Sequence, residues 1–361
     1  MTVLPPPGPA PLEPAAPVVH TEIPAVPGRR RRWVPVVLAG GALLALLGGA
    51  AVAVAIVSAQ RTPQAAASAF LDELVAGDAA GAQSLLASIP SGNPVLLQPD
   101  TYAATSDRLD GYTVLSTAVD GSSATAEVEF EQAGERYTQE LPLVLVRKDL
   151  GLFDVWRISS DALPSVYVTF ARPDSMGLEV NGTEFGGLEG AFDLDVPAFP
   201  GTYDFEPIGG TDYYGAEPVT VSLRFDDTDD PATVALPVRL TDAGVAAATS
   251  AVDATLDACL AQPVLAPQPN CGFSVAQDDA TYSNVRWTLV TRPAVTFGEY
   301  SAGDGWAVIP ASPGTLRLDA DYETATERGT AQSVIDGFEQ SGAISSIDES
   351  GTAVFESVEY R

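Results

Sequence analysis

Two cysteines stand out among the residues of this sequence that could do chemistry. Cys259 and Cys271 are the only cysteines of the chain, and the segment between them contains three prolines. A redox pair or a metal site would need closer spacing and partners such as histidine. An isolated pair of cysteines is typical of a disulfide in an oxidising compartment. We therefore predict a structural disulfide, which stabilises a loop of this length by about 3 kcal/mol.

The near absence of histidine limits the catalytic chemistry. His20 is the only histidine, so residues 21–361 lack the commonest general base and the commonest transition-metal ligand. A Ser-His-Asp triad and a histidine-ligated zinc are therefore excluded from that part of the chain. Lys148, the only lysine, has no S-x-x-K motif around it. We predict no catalytic residue, no metal and no cofactor, although a pair of carboxylates working as in glycoside hydrolases stays open.

The densest acidic cluster of the chain is a candidate for weak cation binding. Its four carboxylates belong to Asp226, Asp227, Asp229 and Asp230. Hard oxygen ligands suit calcium, but the cluster lacks the central glycine and terminal glutamate of an EF-hand loop. The alternative interpretation is a solvated hairpin tip, and the sequence favours it.

An uncharged apolar run over 34–57 determines the predicted location of the protein. A helix of this length is about 36 Å long, which exceeds a hydrocarbon core of about 30 Å. Positive charge stays on the cytoplasmic side of a membrane, and four arginines precede the run: Arg29, Arg30, Arg31 and Arg32. We predict a plasma-membrane protein with a disordered, proline-rich cytoplasmic tail (1–33), a transmembrane helix (34–58) and an extracytoplasmic part (61–361). The alternative, a cleaved signal peptide, has a shorter leader and a shorter apolar core.

The charge balance excludes one class of partner. All but two of the 48 acidic residues and all but four of the 18 basic residues follow residue 60, which leaves 46 acids against 14 bases there. Such a surface repels phosphate backbones, so we predict no nucleic-acid partner. The predicted partners are the lipid bilayer, through the transmembrane helix, and an unidentified envelope protein or cell-wall ligand. Solubility alone also explains an acidic surface of this kind.

Residues 62–161 are predicted to form an α+β domain. Thr62 and Pro63 are typical of a helix start, and apolar residues recur at helical spacing up to Gly77. From there the pattern changes, and residues 112–159 alternate as strands joined by short turns. Helices followed by such strands indicate an antiparallel sheet with helices packed on one face.

This domain resembles a known group. The helical pattern around Phe70-Leu71 and Gly77-Asp78, followed by strands that end in Trp156, resembles the membrane-anchored NTF2-like (cystatin-like) domains of actinobacterial envelopes. The resemblance implies a sheet that curls around an apolar pocket, and so a ligand site. Five aromatic residues are candidates for lining this pocket or, more commonly, for forming the core: Tyr102, Tyr112, Phe130, Tyr137 and Trp156.

The rest of the chain is predicted to form two further domains. Residues 164–240 alternate short strands and turns, which indicates a small β-sandwich. Segments 179–182 and 196–203 resemble the β-modules of teicoplanin-resistance-type membrane proteins, but the zinc ribbon of that group is missing because no cysteine precedes Cys259. Residues 241–361 begin with a helical pattern and continue in strands, which predicts a second α+β domain with the disulfide loop.

The predicted fold class is therefore α+β and β. It comprises one transmembrane helix, an NTF2-like α+β domain, a small β-sandwich and a second domain made of a helix plus an antiparallel sheet. Because the sequence predicts no catalytic residue, we expect a membrane-anchored extracytoplasmic protein of the cell envelope that binds, senses or scaffolds without catalysis. The alternative is a carboxylate-based cell-wall hydrolase.

Overall fold

The computed structural model describes residues 61–90, 93–149, 153–186, 192–227, 231–267 and 271–357. These residues all belong to one structural unit, 57–361. Strands make up 51% of the structure, and the described residues contain four α-helices.

Three short helices open the described chain, and local capping explains where they begin and end. They are α1 (Pro63–Ala76), α2 (Ala79–Ser84) and α3 (Pro99–Ala103). The hydroxyl of Thr62 accepts a hydrogen bond from the N–H of Ala65 at 3.2 Å, and proline occupies the first helical position of α1. The helix ends at Gly77, whose φ of 77° costs glycine little.

A four-stranded antiparallel meander packs against α1. Its strands are β1 (Leu109–Asp120), β2 (Ser123–Gln132), β3 (Glu135–Asp149) and β4 (Phe153–Ile158), in the order β1-β2-β3-β4. Buried side chains alternate along β2 with exposed or half-buried ones, so one face of the sheet lies against the helix and the other faces solvent. The turns after β1 and β2 place Gly121 and Gly134 at positive φ.

Three small sheets follow in the middle of the chain. The first has the order β12-β5-β8, with β5 (Ser165–Phe170) antiparallel to β8 (Phe192–Pro197) and parallel to β12 (Ala232–Ala235). The second has the order β11-β9-β6-β7 and contains β6 (Gly177–Val180), β7 (Thr183–Glu184), β9 (Gly201–Ile208) and β11 (Val219–Leu223). The third pairs β10 (Tyr214–Gly215) with β13 (Arg239–Leu240).

One long helix and two sheets complete the described chain. The helix is α4 (Asp242–Leu260), and it packs mainly on the last strand. The sheets have the orders β14-β17-β18 and β15-β16-β19-β20. Their strands are β14 (Thr281–Thr291), β15 (Ala294–Ser301), β16 (Gly305–Ser312), β17 (Gly314–Glu323), β18 (Arg328–Phe338), β19 (Gly342–Ile347) and β20 (Ala353–Ser357).

The buried apolar side chains of the described residues connect segments that are distant in sequence. The core between α1 and its sheet includes Phe199 and Phe225 from the middle of the chain. In the opposite direction, Val95 and Leu96 of a short 3-10 helix belong to the core of the middle sheets, as does Trp306 of β16. A third core joins α4 to the β14-β17-β18 sheet.

These observations correct the predicted fold class. The described chain is mostly β and consists of several small, mainly antiparallel sheets, whereas two α+β domains were expected. Two of the four helices among the described residues are very short: α2 has six residues and α3 has five. After α4, the chain forms two sheets because its strands alternate exposed and less exposed side chains over long stretches, as in β18.

The structure also corrects the predicted localisation. Every helix among the described residues is too short or too polar to serve as a membrane span. The longest, α4, has 19 residues but carries Asp242, Asp253 and Asp257. A single-pass plasma-membrane anchor is therefore not supported. The segment for which the span was predicted, 34–58, lies outside the described residues, as do Arg29, Arg30, Arg31 and Arg32.

Candidate functional site

The predicted disulfide is confirmed. Cys259, at the end of α4, is bonded to Cys271, with 5.7 Å between their Cα atoms. Both residues are buried in the core that α4 shares with Phe273 and Trp287. The bond therefore joins the end of the helix to the segment that leads into β14, which is a structural role.

The described aspartates of the acidic cluster form hydrogen bonds with a neighbouring residue of the protein, Arg224. Asp226 makes two hydrogen bonds with the guanidinium group of Arg224, at 2.9 and 2.7 Å, and Oδ2 of Asp227 accepts from the N–H of Arg224 at 2.6 Å. The guanidinium carbon of Arg224 lies 4.2 Å from the ring centre of Tyr137. Between these polar residues, Phe225 is fully buried. The other two members of the predicted cation site, Asp229 and Asp230, lie outside the described residues.

No group of three or more potential metal ligands comes together within the part of the chain that the structure describes. The carboxylates of Asp226 and Asp227 are directed to Arg224. The weak cation site therefore stays a prediction.

The apolar space on the inner face of the β1–β4 sheet is filled by the chain itself. The ring of Phe225 lies 4.9 Å from that of Phe130 and 6.4 Å from that of Phe70. The ring of Phe199 lies 5.3 Å from that of Tyr102 and 6.2 Å from that of Phe70. Both phenylalanines are fully buried, so the pocket expected from the resemblance contains side chains from a later part of the sequence.

The aromatic residues predicted for that pocket belong to this packed interior or lie at its margin. Tyr102, Phe130 and Trp156 are buried, and Tyr112 and Tyr137 are half-buried. The hydroxyl of Tyr112 donates a hydrogen bond to Oδ1 of Asp72 at 2.6 Å. The pKa of Tyr112 is raised to about 12, and burial is the largest cause of this increase. Tyr112 therefore stays protonated at neutral pH and acts as a hydrogen-bond donor.

A buried amide completes the polar contacts at this junction. The side-chain N–H of Gln132 donates to the carbonyl of Asp107 at 3.1 Å and to that of Leu223 at 3.0 Å. Its Oε1 accepts a hydrogen bond from the hydroxyl of Tyr137 at 2.9 Å. Burial is the main cause that raises the pKa of Tyr137 above its ordinary value, so this hydroxyl keeps its proton. Because these groups satisfy one another, the junction is a packed interior.

An open groove lies between the first turns of α1 and strand β4, and we call it the β4 groove. Its volume is about 290 Å³. Three arginines line it, Arg61, Arg147 and Arg157, together with two carboxylates, Asp149 and Asp154. Strand β4 is at the edge of its sheet, which is why the groove is open to solvent.

The carboxylate of Asp149 is held between two of these arginines. Nη1 of Arg61 donates to it at 2.8 Å and Nε of Arg147 at 2.9 Å. These hydrogen bonds, that of Arg61 first, hold the pKa of Asp149 below its ordinary value. Asp154 is paired with Nζ of Lys148 at 3.2 Å. Both carboxylates of the groove are therefore ion-paired with basic side chains.

A second groove, of about 430 Å³, runs beside β15, the edge strand of its sheet. Apolar side chains such as Leu240 and Phe297 line it, and its charged groups, Arg239 and Glu299, form an ion pair at 2.5 Å. Its lining shows no charged group that is left for a ligand.

The sequence did contain one signal for the β4 groove that motif analysis misses. Four of the 14 basic residues after position 60 are Arg61, Arg147, Lys148 and Arg157, and the structure brings all four to the same place. In a segment with 46 acids, the part of this set that is local in sequence is Arg147, Lys148 and Arg157, whereas Arg61 reaches the groove only through the fold.

The chain matches no known protein family, no curated protein and no solved structure. The resemblances to NTF2-like domains and to teicoplanin-resistance-type proteins therefore stay predictions.

Proposed function

We propose that this protein is a non-catalytic binding or scaffolding protein. The observation that carries the proposal is the burial of Phe199 and Phe225 in the space where a pocket was expected. An enzyme on such a sheet needs an enclosed site that admits substrate and excludes water. A filled interior instead makes the helices and the sheet a rigid support for recognition at the surface.

The electrostatics of the carboxyl groups also favour binding over hydrolysis. A glycoside hydrolase needs one carboxylic acid with a raised pKa to protonate the leaving group. The pKa values of three carboxyl groups, Asp149, Asp319 and Asp348, are displaced from the ordinary value, and each is displaced downward. Side-chain hydrogen bonds are the largest cause in all three cases. Such groups accept hydrogen bonds at neutral pH and do not donate protons.

The test incubates the full chain with peptidoglycan and with insoluble polysaccharides, and measures released sugars and peptides in the supernatant. We expect no release of sugars or peptides. We expect the protein to sediment with any polymer that it binds. Asp154→Asn is the matched control, because Asp154 is one of the two carboxylates that share a groove. Release by the parent chain would show a hydrolase and overturn the proposal, and loss of that release in Asp154→Asn would assign the activity to the β4 groove.

A further inference from the structure

The β4 groove differs in charge from the rest of the described surface. Its lining has three guanidinium groups and two carboxylates, and the Lys148 ammonium group lies on one of those carboxylates. The groove is thus locally positive, whereas residues after position 60 have 46 acids against 14 bases. Fixed positive groups in a concave site attract anions from solution.

Arg157 is the part of the groove that lacks a protein partner. It is half-buried, and it forms no ion pair with any of the described residues, in contrast to Arg61 and Arg147, which share Asp149. A guanidinium group has five N–H donors arranged to bind an oxyanion at two points. The donors of Arg157 are therefore available to a ligand in the groove.

The main chain adds one more donor at this place. The N–H of Ile158 donates across the edge of β4 to the carbonyl of Leu85 at 3.1 Å. Because N–H groups of alternate residues in a strand point to the same side, the N–H of Trp156 points to that open edge as well. Unlike Ile158, Trp156 has no backbone partner there among the described residues.

The remaining walls of the groove are apolar. They come from alanines of α1, such as Ala65 and Ala66, and from Leu85. The first turn of α1 has no acidic residue, so its partial positive charge adds to that of the arginines. An apolar wall beside cationic donors suits a ligand that has both an oxyanion and an apolar body.

We propose that the β4 groove binds a small amphiphilic anion, with one carboxylate or phosphate group on Arg157 and a short apolar body against α1 and Leu85. The volume of about 290 Å³ suits a small molecule. The acidic surface around it disfavours a polyanion, because charges beyond the groove would meet carboxylates such as Glu127 and Glu140 on the solvent face of the same sheet. The inference rests on the proposed binding function.

The test measures the binding of three probes to the full chain by titration calorimetry. The probes are phenylbutyrate, its neutral analogue phenylbutyramide, and inorganic phosphate. We expect phenylbutyrate to bind at least about tenfold more tightly than the amide, because the guanidinium group recognises the carboxylate. Competition by inorganic phosphate would identify the oxyanion as the recognised group, and equal binding of acid and amide would overturn the proposal.

Two variants locate the binding site. Arg157→Gln should weaken phenylbutyrate binding by about tenfold or more, since a charge-assisted hydrogen bond is lost. Arg136→Gln is the matched control, because Arg136 is exposed on the same sheet, paired with Glu131 at 3.1 Å, and should leave binding unchanged. If Arg157→Gln does not fold, Arg157→Lys serves in its place, because lysine keeps the positive charge but lacks the planar fork of donors that binds an oxyanion at two points. Unchanged binding in the arginine variant of the groove would refute the site.

The outcomes of the two proposals are distinguishable. If phenylbutyrate fails to bind while no sugar is released from polysaccharides, the anion site is wrong and the non-catalytic function stands. If sugars are released by the parent chain, the function is wrong whatever the groove binds.

Discussion

Phe225 shows how a residue can be misjudged from its neighbours in sequence. It lies between Arg224 and the acidic pair Asp226 and Asp227, a context that is typical of a solvated turn. In the structure, the polar neighbours bind one another, and the phenylalanine enters the core of a distant helix and sheet. The hydrogen bonds of these aspartates with Arg224 therefore fix the position of the buried phenylalanine ring.

We expect Phe225→Ala to lower the free energy of unfolding by about 3–5 kcal/mol, because a fully buried ring leaves a cavity that its neighbours fill only in part. Denaturant unfolding of the full chain measures the effect. Val119→Ala is the control, since Val119 is 58% exposed and its loss should change stability little. A loss below about 1 kcal/mol for Phe225→Ala would contradict the complete burial of this ring.

At the scale of the element, the pairing of strands β2 and β3 buries an apolar face but brings two negative charges together on the other face. Their pairing places Glu127 directly opposite Glu140 on the solvent face, while the inner face of the same pair is buried. The register follows from the apolar face, because a slip of one residue would turn every apolar side chain of β2 to solvent. The repulsion between the two glutamates is therefore tolerated.

Replacing Glu140 by lysine should raise the thermal midpoint by about 1–2 °C, because an opposite-charge pair replaces a like-charge pair across the strands. Thermal unfolding monitored by circular dichroism measures the shift. Glu140→Gln, which removes the repulsion without adding attraction, should give a smaller rise, and high salt should reduce both. An increase that salt leaves intact would point to a cause other than charge.

At the scale of the whole described chain, the buried cores join segments that are distant in sequence. Phe199 and Phe225 complete the core of the first helices and sheet, and Leu96 from that region packs into the middle sheets. The hydrogen bond from the N–H of Thr202 to the carbonyl of Ser106, at 2.8 Å, joins the same two regions. Segments that complete each other's cores in this way should fold together.

A fragment of residues 61–163 should therefore show no cooperative thermal transition, because it lacks both phenylalanines that fill its interior. A fragment of residues 61–240 contains them and is the control, for which we expect a cooperative transition. Differential scanning calorimetry of the two fragments and of the full chain measures this. A cooperative transition in the shorter fragment, at the temperature of the full chain, would show an independent domain.

Several local features were predictable from the sequence. The start of α1 at Thr62 and Pro63, and its end at Gly77, depend on capping groups within a few residues of one another. The alternation that buries one face of β2 also lies within a single segment. The Cys259–Cys271 disulfide followed from cysteine count and spacing. Such features are local, so their causes can be found in short stretches of sequence.

The proportion of helix to strand and the residues that form the candidate site were not predictable in this way. The expected α+β domains overestimated helix because short alanine-rich segments are compatible with helices that long strands then outnumber. Arg61 and Arg157 are 96 positions apart in sequence and share one groove only because β4 lies beside the start of α1. No motif of adjacent residues predicts that these two arginines line the same groove.

The amino-acid sequence by itself determined which chemistry this protein lacks. It has one histidine, at position 20, and two cysteines that pair with each other, so a histidine base and a free thiol are missing after that point. Only the tertiary structure decided that Phe199 and Phe225 close the expected pocket and that Arg157 faces an open groove. The physical reason is that composition and periodicity are set within a segment, whereas burial and charge clustering depend on which distant segments pack together.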